Sequence, residues 1–190
     1  MTTAAANALR AAGSVQITMK SSPTATFHVA LDMRIHGSDE TGTTDLFGHH
    51  MQIIVVGGEK YTRTSDAAAW LRPGVTASAA AALTDKWVQE PDGSGGHFGS
   101  TDMSITSITE ALVHPTTGGQ VLDTASKTSY NGRLVWKVSK TDGSYLLIAA
   151  TGTAYPLFIG DPKSGATVVF SNFGLIPPVV APAGAIHLPH

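Results

Sequence analysis

Apolar and polar residues alternate along much of the chain from Ser14 onward. Phe27, Val29, Leu31, Met33 and Ile35 place apolar side chains at odd positions, and Thr26, His28, Asp32, Arg34 and His36 place mostly polar ones between them. A period of two predicts a long strand with one buried face. Further strand runs are predicted at 51–56, 60–64, 120–128, 134–140, 144–150, 157–159 and 167–173. The dipeptides Gly57-Gly58, Asn131-Gly132 and Asp142-Gly143 sit between such runs and are hairpin turn signals, so the sheet is expected to be antiparallel. In the run from 134, Leu134, Trp136 and Val138 are expected to face a core, and Val135, Lys137 and Ser139 to face water.

The period changes in three places. Residues 1–12 are rich in Ala, with Leu9 and Arg10, and read as a short helix stopped at Gly13. Residues 76–83 are nearly all Ala, and residues 102–114 place Ile105, Ile108 and Leu112 at i, i+3 and i+7, with Ser100 or Thr101 as cap and Asp102 in the first turn. Pro73, Pro91 and Pro115 mark the ends of these helices, and residues 92–96 read as a loop. The fold class is therefore α+β, an antiparallel sheet with its helices on one face. Residues 1–13 are expected to be a terminal helix or a leader segment, and residues 14–190 one domain; the stretch 177–182 is Pro-rich and suits an edge.

Composition narrows the chemistry. Charged residues make up 14% of the chain, against about 25% in an average globular domain, so Thr, Ser, Gly and Ala must cover the surface. Net charge is −2 and no Lys/Arg cluster is present, which argues against a nucleic-acid partner. The absence of Cys excludes disulfides and thiolate chemistry. No apolar run reaches the ~20 residues of a membrane span, and the first residues lack the pattern of a signal peptide, so the leader of an exported protein would lie outside this chain. The local signatures of common hydrolases, zinc peptidases and nucleotide binders are missing, and no enzyme activity or cofactor is expected. His49 and His50 are adjacent on a strand and point to opposite faces, which disfavours a shared metal, and His28 and His36 fall on a polar face. Asp39, Glu40 and Asp45 are expected in a turn, given Gly37, Gly42 and Thr43 around them. Trp70 and Trp87 suit either the mouth of a site or a cap on the core, and the loop with His97 and Phe98 either a lid or a surface connection.

Several segments resemble the LppX/LprG-type (LolA-like) lipoproteins of the actinobacterial cell envelope. These are Gly58-Glu59-Lys60-Tyr61, Trp70 and the run 83–91, then Leu147-Ile148-Ala149-Ala150-Thr151-Gly152 with Tyr155-Pro156-Leu157, Val169-Phe170-Ser171-Asn172-Phe173-Gly174 and Ala181-Pro182-Ala183. They run in the family's order across residues 14–186. The resemblance implies a half-barrel of antiparallel strands curved around a few helices, with a hydrophobic cavity between the layers. It implies an extracytoplasmic protein, secreted or held at the cell membrane by an N-terminal lipid anchor, that binds acylated lipids or glycolipids. The anchoring Cys is not in this chain, and Asn172 stands where an acidic residue is common.

The expected cavity lining is Phe27, Val29, Leu31, Trp70, Leu83, Ile105, Ile108, Leu112, Trp136 and Phe170. An Ala-rich helix facing large side chains leaves space, and a void costs on the order of 24 cal/mol per Å³, so it is filled by acyl chains or closed by nearer approach of the helix. A monomer is expected, without metal or cofactor. The alternative function is an envelope interaction or sensor module on the same fold, without bound lipid.

Overall fold

Tight turns fold the alternating segments back on one another. In a computed structural model of the chain, the residues described are 1–22, 24–25, 28–46, 48–71, 75–90, 103–113 and 122–187. The strands are β1 (Ser14–Lys20), β2 (Val29–His36), β3 (Asp39–Leu46), β4 (His49–Val56), β5 (Glu59–Arg63), β6 (Val88–Gln89), β7 (Leu122–Tyr130), β8 (Arg133–Lys140), β9 (Tyr145–Ala149), β10 (Pro156–Gly160), β11 (Thr167–Ser171) and β12 (Ile186–His187). The β7–β8 turn has φ 49° at Asn131 and 73° at Gly132, the left-handed pair that a two-residue hairpin requires. The described strands make one open sheet in the order β12-β6-β5-β4-β3-β2-β1-β11-β10-β9-β8-β7. Its neighbours pair antiparallel except β12 with β6, which are parallel.

All the described helices lie on one face. Helices α1 (Thr2–Ala12) and α3 (Ile105–Val113) pack on each other and on the middle of the sheet, joining Ala5, Leu9, Ile105 and Leu112 to Ile17, Met33, Ile35, Ile148 and Phe170 in the main core. A 3-10 turn (Ala67–Trp70) and α2 (Ala77–Ala82) cover β4 to β6 through smaller clusters, Ala69 on Met51 and Ala80 with Trp70 on Val88. Ile53 of the main core pairs with Thr62 and Thr62 with Val88, so both helical groups share that face.

Two sequence expectations change. Residues 39–46 are a central strand, not a turn; the turn is at Gly37, and Glu40 and Thr44 are buried on the inner face. On β8, Leu134 is 45% exposed and Val135 is 0% exposed, the reverse of the expected order at these two positions. The cause is a second layer on the outer face. Tyr130 on β7 and Phe158 on β10 bring their ring centroids to 5.5 Å, which requires them to reach across β8 and β9, over Val135 and Leu147. Tyr145 stacks on the same Phe158 at 5.8 Å. Both faces of this region of the sheet are therefore apolar.

After β11 the chain crosses the ends of β1 and β2. The Ile176 N–H donates to Ser14 Oγ at 3.2 Å, His36 Nδ1–H donates to the Ile176 carbonyl at 2.9 Å, and the chain then continues to β12 beside β6. This strap ties the middle of the sheet to its β12 edge.

Candidate ligand site between helices and sheet

Helix α3 presents the stripe read from its periodicity. Ser104 Oγ accepts from the Ser107 N–H at 3.0 Å and caps it, in place of Ser100 or Thr101, which lie outside the described residues together with Asp102. The Ile105 N–H donates to the Gly37 carbonyl at 2.9 Å, which fixes the start of the helix to the β2–β3 turn. Ile105 and Leu112 are then buried in the main core and Ile108 packs against it half-buried.

Leu31, Ile105, Leu112 and Phe170 meet in that core, with Ile108 and Trp136 at its margin. Trp70 and Leu83 do not join them; they belong to the separate cluster with Ala80 and Val88, because α2 is short and contacts the 3-10 turn instead of the middle of the sheet. Val29 is half-buried at the far end of β2, and Phe27 lies outside the described residues.

The space between layers is small. A pocket of about 80 Å³ opens beside the last turn of α3, between Thr2, Leu112, Val138, Leu146 and Ile159, with Lys140, Ser144 and Tyr145 at its rim. Ligand pockets are usually about 300–1,000 Å³. The two helices therefore sit close on the sheet, and the residues allowing this are Ala5 and Ala6 of α1, both 0% exposed, rather than the alanines of α2.

A larger pocket of about 390 Å³ lies at the opposite ends of the same strands, lined by Arg133, Leu134, Thr153, Tyr155, Leu157 and Phe173 among others. The Tyr155 and Phe173 rings stack at 4.0 Å and 5°. In the sequence, Tyr155, Leu157 and Phe173 stand out only as parts of family motifs and Leu134 as a core-facing strand residue, and nothing brings them together as a site. The available signal was an apolar residue, Leu134, directly after a hairpin turn and beside an arginine.

Polar side chains elsewhere are paired locally. His49 Nδ1–H donates to Asp66 and His50 Nδ1–H to Asp45, each at 2.5 Å, so the adjacent imidazoles serve different carboxylates. Glu90 is buried on the inner face, where its Oε1 accepts from Thr62 Oγ1 at 2.6 Å and lies 3.5 Å from Lys60 Nζ. Among the described residues no group of three His, Cys, Asp or Glu is placed to hold a metal ion. No described helix is long and apolar enough to cross a membrane.

No family model matches the chain, and no curated protein matches it. Its structure is similar to the crystal structure of the Mycobacterium tuberculosis lipoprotein LppX, with a TM-score of 0.55 over 93% of each chain at 14% sequence identity. The wide open antiparallel sheet with helices on one face is thus the LppX fold.

Proposed function

We propose that this protein is a non-enzymatic, lipid-binding protein of the cell envelope that takes acyl chains of lipids or glycolipids between α3 and the sheet. The observation that carries the reading is the apolar seam itself: Leu112, Val138, Leu146 and Ile159 line a pocket that is open at one end and continuous with the main core. Burying a methylene there is worth about 0.8 kcal/mol, and the gain along an acyl chain offsets the cost of parting α1 and α3 from the sheet, on which they rest through Ala5, Ala6 and Leu9 and through Ile105, Thr109 and Leu112. The resemblance to LppX/LprG-type lipoproteins supports the same reading, as well as an extracytoplasmic location and attachment to the membrane by a lipid anchor, and the protein is expected to act as a monomer.

The test is native mass spectrometry of the chain after expression in a lipid-rich host and gentle purification. A co-purified acyl species is the expected result; an empty protein that also fails to take up added phospholipid or glycolipid would overturn the reading. The close packing of α1 and α3 favours a second reading, an interaction or sensor module without lipid. Its surface would include the strap, where Leu175 and Val180 are 75% and 74% exposed.

A further inference from the structure

The two pockets at opposite ends of the strands are joined by one face of β8. Leu134 lines the larger pocket, Val138 lines the smaller one, and Trp136 stands between them, half-buried against the main core. Alternate residues of a strand share a face, and the four steps from Leu134 to Val138 span about 13 Å. The neighbouring strand continues the apolar surface, since Trp136 pairs with Ile148 and Val138 with Leu146.

Two cations border this stripe, one at its Leu134 end and one beside its middle. Arg133 starts from the opposite face of β8, with Val135, and reaches the larger pocket around the end of the strand, and among the described residues it forms no ion pair with a carboxylate. Lys127 holds its ammonium 5.0 Å from the centroid of the Trp136 ring, on the edge strand beside it. Leu134, next to Arg133 in the chain, remains 45% exposed in the larger pocket. An apolar track with a cationic mouth matches a molecule with an apolar chain and an anionic head.

We infer that the β8 stripe Leu134–Trp136–Val138 is the access track for a single-chain amphiphile with an anionic head, the head held at Arg133 and the chain passing over Trp136 toward Val138. This rests on the lipid-binding reading and adds the point of access and the class of head group. The larger pocket, about 390 Å³, receives the head-proximal carbons of the chain. Trp136 is the side chain that must lie along the chain or turn aside for it.

Three probes test the track on the full chain: dodecanoate, dodecanol and a terminally brominated dodecanoate that quenches nearby indoles. Dodecanoate is expected to bind about fivefold more tightly than dodecanol, the worth of one solvent-screened ion pair, and Arg133→Gln to remove that difference while leaving dodecanol unaffected. The brominated chain is expected to quench tryptophan emission in the wild type, and Trp136→Phe to abolish the quenched component without lowering the melting temperature appreciably. Dodecyl phosphate, compared with dodecanoate, separates a phosphate from a carboxylate head. If chains bind but Arg133→Gln changes nothing, or quenching persists in Trp136→Phe, the track is wrong and lipid binding stands. If no probe binds, both fall.

Discussion

Leu134 and Val135 are both apolar and adjacent, and hydropathy alone assigns the first to the core because Trp136 and Val138 follow it in phase. Packing assigns burial differently, since the Tyr130 and Phe158 rings close over Val135 while Leu134 lies in an open pocket. Val135→Ala is expected to cost about 2 kcal/mol, two carbons plus the cavity they leave, and Leu134→Ala less than about 0.5 kcal/mol. Urea unfolding midpoints measure both, and the opposite order would mean that the β8 register is shifted by one. Gly42 makes a different demand. A Cβ there would lie 2.0 Å from the Asp32 carbonyl oxygen and 2.7 Å from Met33 Sδ, so Gly42→Ala is expected to destabilise by roughly 3 kcal/mol because a neighbouring strand must move. That constraint is invisible in the sequence, where the same glycine reads as a turn signal.

Among the elements, those with a clean period were legible: β2, β8 and α3 emerge from alternation or an i, i+3, i+7 stripe. Strand β3 was not, because its inner positions are Glu40, Gly42 and Thr44, polar or small where a buried strand is normally apolar. Its strand state comes from pairing with β2 and β4 on both sides, a tertiary fact. The 3-10 turn at Ala67–Trp70 shows how a cap links elements. Asp66 accepts from His49 on β4 and from the Ala68 N–H, and both bonds, the His49 bond first, hold its pKa below the ordinary value. A lowered pKa means that the folded state favours the ionised carboxylate. The associated stability is complete above the ordinary value and is lost as pH falls through the lowered one. Asp142 and Asp161 are shifted in the same direction by their loop hydrogen bonds to Ser144 and Ser164. Stability by chemical denaturation is therefore expected to decline below about pH 4. Asp66→Asn keeps a capping side chain and is expected to make that decline shallower. An identical acid profile in the variant would show that the His49 latch carries none of it.

At the scale of the whole molecule, the sidedness of the sheet and its antiparallel order were readable, because hairpin turns fix antiparallel pairing and helical stripes must be buried against something. The identity of the Ala-rich helix that packs on the middle of the sheet was not. Residues 76–83 looked like the spacious wall because they are methyl-rich, yet α1 occupies the middle of the sheet, and its Ala5 and Ala6 bring it close. Six of the expected lining residues join or border the main core, of which Leu112 lines the pocket, whereas Trp70 and Leu83 serve a separate cluster, a division that depends on where the chain returns after β5. The central claim is that this seam admits an acyl chain, and Ile108, half-buried against the main core one helical turn before Leu112, is the place to test it. The measurement is titration of a fluorescent fatty-acyl probe into the wild type and Ile108→Trp, with thermal unfolding of the same samples as control. The account predicts saturable binding to the wild type and loss of binding in the variant, with the two melting temperatures nearly equal because the added ring takes the space of the chain. No binding to the wild type, with early melting of the variant from overpacking by about 1–3 kcal/mol, would contradict it.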